Sequence, residues 1–233
     1  MNDKSLTVLI PLYNKEKLIK VAINETTKLL KGLDYEIIVI ENESTDNSRL
    51  VVEELIKYEY INLKLINSKK GLGNALKAGI NLSSKDYLLC VPADFTSGTS
   101  EIKYFKEEIN SDYTITSRQH KDSNAPQDFN RKIISNVFNF LKKAILNINY
   151  SDTQFSFLIR TSIAKKIANK CRSTGFFITT ELTYFALKEG INIKEISVVL
   201  HEQENNKSTV KIFRDSFSIF LEMLKLFLRE GRL

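Results

Sequence analysis

The chain has 233 residues, of which 42% are apolar and 27% are charged, and its net charge is +6. This length and apolar content suit one large α/β domain or two small ones, and they exclude an intrinsically disordered chain. The basic residues form no dense patch interleaved with aromatic residues, so a nucleic-acid-binding function is not favoured.

The two cysteines, Cys90 and Cys171, lie far apart and fit no metal-binding spacing, which is typical of reduced intracellular thiols. The N-terminus lacks a basic segment followed by an apolar one, and no apolar stretch approaches the roughly 20 residues of a membrane span. We therefore expect a cytoplasmic protein. A peripheral position on the inner membrane face is a second expectation, and it depends on the C-terminal helix.

The first half of the chain alternates between strand and helix patterns. Apolar runs predict five strands, near 6–11, 35–41, 60–66, 86–91 and 112–117. Helical spacing predicts four helices between them, near 15–31, 46–57, 71–82 and 99–109. Strands that alternate with helices imply right-handed crossovers and a mainly parallel sheet, so the predicted fold class is α/β.

Two helices in the second half are amphipathic. The patterns there predict helices near 129–147, 161–169, 179–189 and 210–229, and strands near 155–159 and 192–199. Each amphipathic helix, near 129–147 and near 210–229, fits a core helix that covers the sheet. The alternative is a helix that lies on a membrane with basic flanks, and the excess of Phe favours this slightly for the last helix. We divide the chain into a domain of residues 1–205 and a C-terminal helical extension of residues 206–233.

Three predicted strands end in polar loops. The loops are Leu12-Tyr13-Asn14, the segment from Glu41 to Ser48, and Pro92-Ala93-Asp94. In an open α/β sheet, ligands bind outside the carboxyl ends of the strands. The sequence therefore predicts a nucleotide-handling site at this edge, where the lone carboxylate of Asp94 could hold a divalent cation against a diphosphate.

Some residues near these loops also have a purely structural interpretation. Ser44 and Asp46 fit a helix cap and a first-turn acid, respectively. Gly71 and Gly73 allow close approach of a ligand to the backbone at a helix start, but this signal is weak by itself and a tight turn explains them better. Glu41 and Asn42, directly at the strand exit, lack such an explanation.

Taken in order, six segments resemble those of the family 2 glycosyltransferases with the GT-A fold. The segments are 8–14, 36–48, 71–79, 86–94, 116–118 and 151–154. The nearest subgroup is the dolichyl- or polyprenyl-phosphate mannosyl- and glucosyltransferases, and the resemblance covers residues 6–210. It implies a Rossmann-like sheet and transfer of a sugar from a nucleoside-diphosphate sugar, with Mg²⁺ or Mn²⁺ at the diphosphate. The implied acceptor is a lipid phosphate or a glycan at the cytosolic membrane face, in surface polysaccharide or glycolipid synthesis, and a membrane protein is a further implied partner.

The resemblance also implies roles for individual residues. The implied nucleotide-binding residues are Pro11, Tyr13, Glu41, Asn42, Gly73, Ala93 and Asp94. Asp94 is the implied metal ligand, and Arg131 lies near the leaving diphosphate. The implied phosphate and acceptor residues are Arg118, Gln154, Lys207 and Ser208. Asp152 and then Glu181 are the candidate bases if the acceptor is a hydroxyl group, whereas an anionic lipid phosphate needs no strong base.

The chain departs from the family pattern at the acidic motifs. Asp-Asp-Gly-Ser is replaced by Glu41-Asn42-Glu43-Ser44, and the first Asp of Asp-x-Asp is Pro92. One carboxylate instead of two lowers the expected metal affinity, or indicates that metal-dependent chemistry is lost. Because an amide both donates and accepts, Asn42 makes a CDP-sugar a donor hypothesis beside UDP and GDP. The alternative to an inverting enzyme is a catalytically weakened module that binds a nucleotide-sugar or a partner.

Overall fold

The computed structural model describes residues 4–58, 60–94, 99–107, 111–124, 129–154, 156–199 and 212–233. Within these ranges the strands are β1 (Leu6–Leu12), β2 (Tyr35–Glu41), β3 (Leu63–Asn67), β4 (Tyr87–Cys90), β5 (Tyr113–Ser117), β6 (Phe157–Arg160) and β7 (Ile193–Ser197). The helices are α1 (Ile19–Leu29), α2 (Ser48–Tyr58), α3 (Leu72–Leu82), α4 (Thr99–Glu107), α5 (Phe129–Leu146), α6 (Thr161–Ala168), α7 (Ile178–Lys188) and α8 (Ile212–Glu230).

The strands form one sheet in the order β3-β2-β1-β4-β6-β5-β7. Strand β6 runs antiparallel to both of its neighbours, and the other pairs are parallel. The predicted α/β class with a mainly parallel, Rossmann-like sheet of the GT-A type is therefore confirmed. Helix α1 begins four residues later than predicted, because residues 15–18 form the turn that leaves β1.

The sheet is buried on both faces. Alternate residues of β1 point to opposite faces: Val8 and Ile10 belong to one apolar cluster, and Leu9 belongs to the other. All three side chains are 0% exposed. Burial on both faces is the reason that the parallel strands read as continuous apolar runs in the sequence.

The C-terminal helix α8 packs against this core. Met223 is 0% exposed and Leu226 is 2% exposed, and both belong to the cluster on one face of the sheet. Arg229 forms an ion pair with the buried Glu181 at 2.8 Å. The core interpretation of α8 is therefore correct for its inner face, whereas Phe217 and Leu228 on the outer side are 64% and 82% exposed. In the part of the chain that the structure describes, no helix is both long and apolar enough to cross a membrane.

A buried carboxylate secures the amino end of β2. Glu36 is 4% exposed and accepts hydrogen bonds from Thr7 Oγ1 at 2.8 Å, Ser84 N–H at 2.7 Å and Lys64 Nζ at 2.7 Å. Burial by itself raises the pKa of this carboxyl, but the hydrogen bonds, with that of Lys64 first, outweigh it and lower the pKa to about 2. The charge of Glu36 therefore contributes to folding.

We expect Glu36→Gln to lower the free energy of unfolding by about 2 kcal/mol at pH 7. The folded-state pKa lies below the ordinary value of 4.5, so the carboxylate stabilises the protein above that pH and this contribution is lost as the pH falls towards 2. The free energies of unfolding of wild type and variant, measured by urea denaturation, should therefore approach each other as the pH falls from about 5 to about 2. A difference that stays constant over this range would contradict the assignment.

Candidate active site

The loops that follow β1 and β2 are joined by hydrogen bonds. Asn14 Oδ1 accepts the Thr45 N–H at 2.7 Å, and the Lys15 N–H donates to Ser48 Oγ at 2.8 Å. In the sheet, β1 lies between β2 and β4, with Leu12 opposite Glu41. The three predicted polar loops therefore lie along one edge. We call this the strand-exit edge and define it by residues 12–16, 41–48 and 91–94.

The second of these loops is held by side chains that do not take the predicted cap and first-turn positions, because α2 begins only at Ser48 and has no acidic residue in its first turn. Asp46 Oδ1 accepts the Ser48 N–H at 3.0 Å at the start of α2, and Asp46 Oδ2 accepts the Glu16 N–H at 3.2 Å. Ser44 Oγ accepts the Asn14 N–H at 3.2 Å. Both side chains thus stabilise the loop.

The Glu41 carboxylate forms hydrogen bonds within its own loop. Its side chain accepts the N–H groups of Glu43 at 3.1 Å and Ser44 at 2.6 Å, and the residue is only 7% exposed. Glu43 has a φ of 60°, in the left-handed region that favours glycine. This is the position where the family pattern has Gly, so the chain has a residue with a Cβ atom where the left-handed conformation strains it.

Asn42 joins the strand-exit edge to the loop that precedes α3. Its Nδ2 donates to Ser68 Oγ and to the Lys69 carbonyl, each at 2.7 Å, and its Oδ1 accepts the Gly71 N–H at 2.8 Å. Both amide protons are thus used within the protein. Recognition of a base by Asn42 stays a prediction, and the amide that suggested a CDP-sugar holds a loop in this arrangement.

The glycines at the start of α3 allow two segments of protein backbone to approach closely. A Cβ atom on Gly73 would lie 2.4 Å from the Ser173 carbonyl oxygen, and one on Gly71 would lie 2.2 Å from that of Thr174. Gly71 also has a φ of 117°. The close approach of the Ser173–Thr174 backbone explains both glycines, and a role of Gly73 in nucleotide binding stays a prediction.

Glu181 holds the same segment in place. Its carboxylate is 2% exposed and accepts the N–H groups of Arg172 at 2.9 Å and Ser173 at 2.8 Å, and Arg229 Nη2 at 2.8 Å. Three donors therefore satisfy this carboxylate. The geometry gives Glu181 a structural role, and its role as a base stays a prediction.

Two lysines accompany the remaining nucleotide-binding candidates. Lys70 Nζ donates to the Tyr13 hydroxyl at 2.8 Å and lies 4.5 Å from the centre of its ring. Lys15 Nζ lies 3.4 Å from Asp94 Oδ2. Pro11 is half-buried at the end of β1, and Ala93 is 6% exposed beside Asp94. Sequence reasoning missed both lysines, although Lys15 directly follows a loop residue that it had singled out.

The described residues fit a metal ion poorly. They contain no group of three or more His, Cys, Asp or Glu side chains that could hold one. At the strand-exit edge, Asp94 is already paired with Lys15, Pro92 replaces the other carboxylate of the motif, and Glu41 is bound to backbone amides. The described part of the chain therefore does not by itself build a metal centre.

Arg118 and Asp152, which were predicted separately, form an ion pair beside β6. Arg118, which directly follows β5, donates from Nε to Asp152 Oδ2 at 2.7 Å and from Nη2 to Asp152 Oδ1 at 3.2 Å. Asp152 is 6% exposed. This two-point contact orients the guanidinium group more firmly than a single hydrogen bond would.

Arg118 and Asp152 lie at the polar end of a groove of about 250 Å³ between α5 and α8. Its apolar walls include Val137, Phe138, Leu141, Ile219, Phe220 and Met223. Gln154 also lines this α5–α8 groove, and its Nε2 atom is buried without a hydrogen-bond partner among the described residues. An unsatisfied buried donor costs about 1–3 kcal/mol, so this atom is a candidate donor to a ligand in the groove.

A buried lysine supports the floor of the groove. Lys142 is 0% exposed and donates to Asn139 Oδ1 at 2.7 Å and to the Tyr150 carbonyl at 2.6 Å. Burial lowers its pKa to about 8. Asn139 in turn donates to the Ser151 carbonyl at 2.7 Å.

Three candidates lie beyond what the structure describes. Arg131 belongs to α5, but its side chain is outside the described part. Lys207 and Ser208 fall in residues 200–211, which are also outside it. Their roles stay predictions.

The chain belongs to glycosyl transferase family 2, whose match spans residues 7–168. This match covers more than half of the chain and includes the strand-exit edge, Arg118 and Asp152. The protein is therefore a glycosyltransferase, as the ordered segments predicted.

Its relatives include transferases named for polyprenyl-phosphate acceptors. The chain is 29% identical to dolichyl-phosphate beta-glucosyltransferase of Dictyostelium discoideum, over 94% of this chain and 72% of that protein. It is 26% identical to the Homo sapiens protein of the same name, over 88% and 69%. It is 27% identical to undecaprenyl-phosphate 4-deoxy-4-formamido-L-arabinose transferase of Proteus mirabilis (strain HI4320), over 58% and 42%.

Solved structures share the fold. Glucosyl-3-phosphoglycerate synthase of Mycobacterium tuberculosis bound to UDP superposes with a TM-score of 0.72, covering 95% of this chain and 79% of that one at 13% identity. Its complex with Mn²⁺, UDP and glucosyl-3-phosphoglycerate gives the same TM-score, covering 99% and 81% at 13% identity. At this identity the likeness confirms the GT-A fold alone.

The strain at Glu43 leads to a stability prediction. We expect Glu43→Gly to raise the free energy of unfolding by up to about 1 kcal/mol, because glycine adopts the left-handed conformation without a Cβ clash. Glu43→Ala is the matched control and should bring no gain, since it removes the same exposed carboxylate but keeps the Cβ atom. Urea denaturation measures both variants. Equal stabilities of the two would contradict the strain.

Proposed function

We propose that this protein transfers a sugar from a nucleoside-diphosphate sugar to the phosphate of a polyprenyl phosphate, with inversion at the anomeric carbon. The observation that carries the proposal is the α5–α8 groove, whose apolar walls lead to the Arg118 guanidinium group and the Gln154 amide. An isoprenoid chain needs apolar walls, and a phosphate needs donors at one end.

The acceptor end of the site favours a phosphate over a glycan hydroxyl. A hydroxyl acceptor needs a general base, but Asp152 is held in a two-point contact with Arg118, and Glu181 is bound by three donors. A lipid phosphate is already anionic at neutral pH and needs no base. The printed names of the dolichyl-phosphate and undecaprenyl-phosphate relatives support the same choice.

The donor end is the strand-exit edge. Tyr13 and its partner Lys70 offer an aromatic ring and a cation beside the polar loops, which suits a base and a diphosphate. UDP, which the M. tuberculosis neighbour binds, is the first nucleotide to test. GDP and CDP are the alternatives that a binding experiment has to separate.

In the proposed reaction, an oxygen of the acceptor phosphate attacks the anomeric carbon from the face opposite the diphosphate. The bond from that carbon to the diphosphate oxygen breaks, so the products are a glycosyl polyprenyl phosphate and a nucleoside diphosphate. No proton has to move. Arg118 binds the attacking phosphate, and Asp152 acts as a positioning residue that fixes the guanidinium group. No step is assigned to the predicted divalent cation, since the described residues fit one poorly.

We further propose that the protein acts peripherally at the cytosolic face of a membrane, where such a lipid is found. Exposed apolar side chains lie on both helices that form the groove, among them Val137 and Phe140 of α5 at 53% and 71% exposure, and Phe217 of α8 at 64%. Lys132, Lys143 and Lys225 are exposed on the same two helices. Apolar residues with basic neighbours suit the headgroup region of an anionic bilayer. The product would be a lipid-linked sugar for glycolipid or surface polysaccharide synthesis.

Sugar transfer in detergent tests the acceptor assignment. The assay uses radiolabelled UDP-glucose and a polyprenyl phosphate. We expect Arg118→Lys to raise the acceptor KM about tenfold while nucleotide affinity stays within about twofold. The reason is that lysine keeps the positive charge but cannot make the two-point contact of a guanidinium group. Phe220→Ala in the groove wall should also raise the acceptor KM. The matched controls are Arg49→Lys on the exposed side of α2 and Phe176→Ala, a half-exposed Phe outside the groove.

Transfer to a soluble glycan hydroxyl but not to the polyprenyl phosphate would contradict the acceptor assignment. Unchanged acceptor KM values in both test variants would contradict the groove. GDP-mannose and a CDP-sugar serve as alternative donors in the same assay.

Vesicle binding tests the membrane face separately. We expect the double variant Phe140→Ser with Phe217→Ser to bind phosphatidylglycerol vesicles about tenfold more weakly than wild type, because two exposed rings no longer enter the interface. Phe176→Ser controls for the loss of an exposed ring elsewhere. Co-sedimentation measures the bound fraction, and equal binding of all three proteins would refute the assigned face.

A further inference from the structure

A lysine lies beside the carboxylate that follows β4. Lys15 Nζ is 3.4 Å from Asp94 Oδ2, and the two side chains are only 14% and 15% exposed. The backbone of Lys15 is also fixed, since its N–H donates to Ser48 Oγ at 2.8 Å and its carbonyl accepts the N–H groups of Leu18 and Ile19. The ammonium group is therefore held at the strand-exit edge by both its main chain and its ion pair.

Between Asp94 and the described side chain paired with it, the charges balance without a metal ion. Asp94 contributes one negative charge, Lys15 contributes one positive charge, and Pro92 contributes none. The Glu41 carboxylate accepts two N–H groups of its own loop. A divalent cation at Asp94 would have to displace an ammonium group that is tethered to the neighbouring loop and partly removed from water, where the pair attracts more strongly than at the surface.

We infer that Lys15, oriented by Asp94, is the cation that binds the diphosphate of the donor, and that nucleotide binding by this chain does not require a divalent metal. The inference rests on the proposed function, because it takes a nucleoside diphosphate as part of the donor. Lysine binds phosphate oxygens as a point charge. As the bond between the anomeric carbon and the diphosphate breaks, the leaving oxygen gains negative charge, which the ammonium group stabilises without transferring a proton.

A second lysine, Lys70, lies close to the same edge. Lys70 reaches Tyr13 from the loop before α3, with its Nζ 2.8 Å from the hydroxyl group. The first loop of the strand-exit edge therefore has one lysine at Tyr13 and a second, Lys15, two residues further on. Such an arrangement supplies positive charge to a diphosphate from fixed side chains.

Calorimetry with UDP, GDP and CDP, each in EDTA and in Mn²⁺, tests the inference. For the tightest nucleotide, we expect the Kd in EDTA to lie within about threefold of that in Mn²⁺, and Lys15→Met to weaken binding in EDTA at least about tenfold, or ~1.4 kcal/mol. Lys15→Arg keeps the charge and should stay within about threefold of wild type. Lys17→Met removes an exposed positive charge two residues away and is the matched control, with thermal unfolding as the check that each variant folds.

The possible outcomes separate a failure of the Lys15 inference from a failure of the proposed donor. Three outcomes would each overturn the role of Lys15 and leave the proposed sugar transfer standing. They are nucleotide binding by the wild type only in Mn²⁺, equal affinities of wild type and Lys15→Met in EDTA, and a loss of affinity in Lys15→Arg as large as that in Lys15→Met. Failure of all three nucleotides to bind in either condition would overturn the inference together with the proposed donor.

Discussion

The strand-exit edge depends on buried polar side chains that bond to the backbone of neighbouring loops. Glu41 accepts two N–H groups of its own loop, and Asn42 bonds to the loop before α3 through both its amide nitrogen and its carbonyl oxygen. A buried carboxylate or amide is costly unless its hydrogen bonds are made, so each of these contacts strongly favours one loop geometry. The positions of Tyr13, Lys15 and Asp94 relative to one another follow from that geometry.

A buried carboxylate that accepts backbone N–H groups also fixes a segment further from the strand-exit edge. Glu181 fixes the segment of residues 172–174, and this segment packs directly against Gly71 and Gly73 at the start of α3. A side chain at either glycine would collide with a carbonyl oxygen, which is why the helix start is glycine-rich. Arg229 extends the support to α8. A carboxylate held by three donors serves here as a structural anchor, and removing one donor would leave a buried charge poorly compensated.

Helix α8 has two different faces. Met223 and Leu226 complete the core on one side of the sheet, while Ile219 and Phe220 face the α5–α8 groove. An amphipathic helix usually needs only one apolar face, so apolar side chains on the outer side are not explained by the core. The proposed lipid acceptor and membrane surface would account for these residues together, with the acceptor phosphate beside Arg118.

The sequence by itself determined the fold class, the order of strands and helices, and the family, because periods of 2 and 3.6 residues and the ordered motifs are local properties of the chain. It also predicted that Arg118, Asp152 and Gln154 have functional roles, and the structure brings these three into one groove. Only the tertiary structure decided what each polar side chain bonds to. Lys15 meets Asp94 across 79 positions of sequence, and Gly73 meets the backbone of Ser173. Such partners depend on how loops pack at the edge of a sheet, and no local pattern of residues specifies that packing.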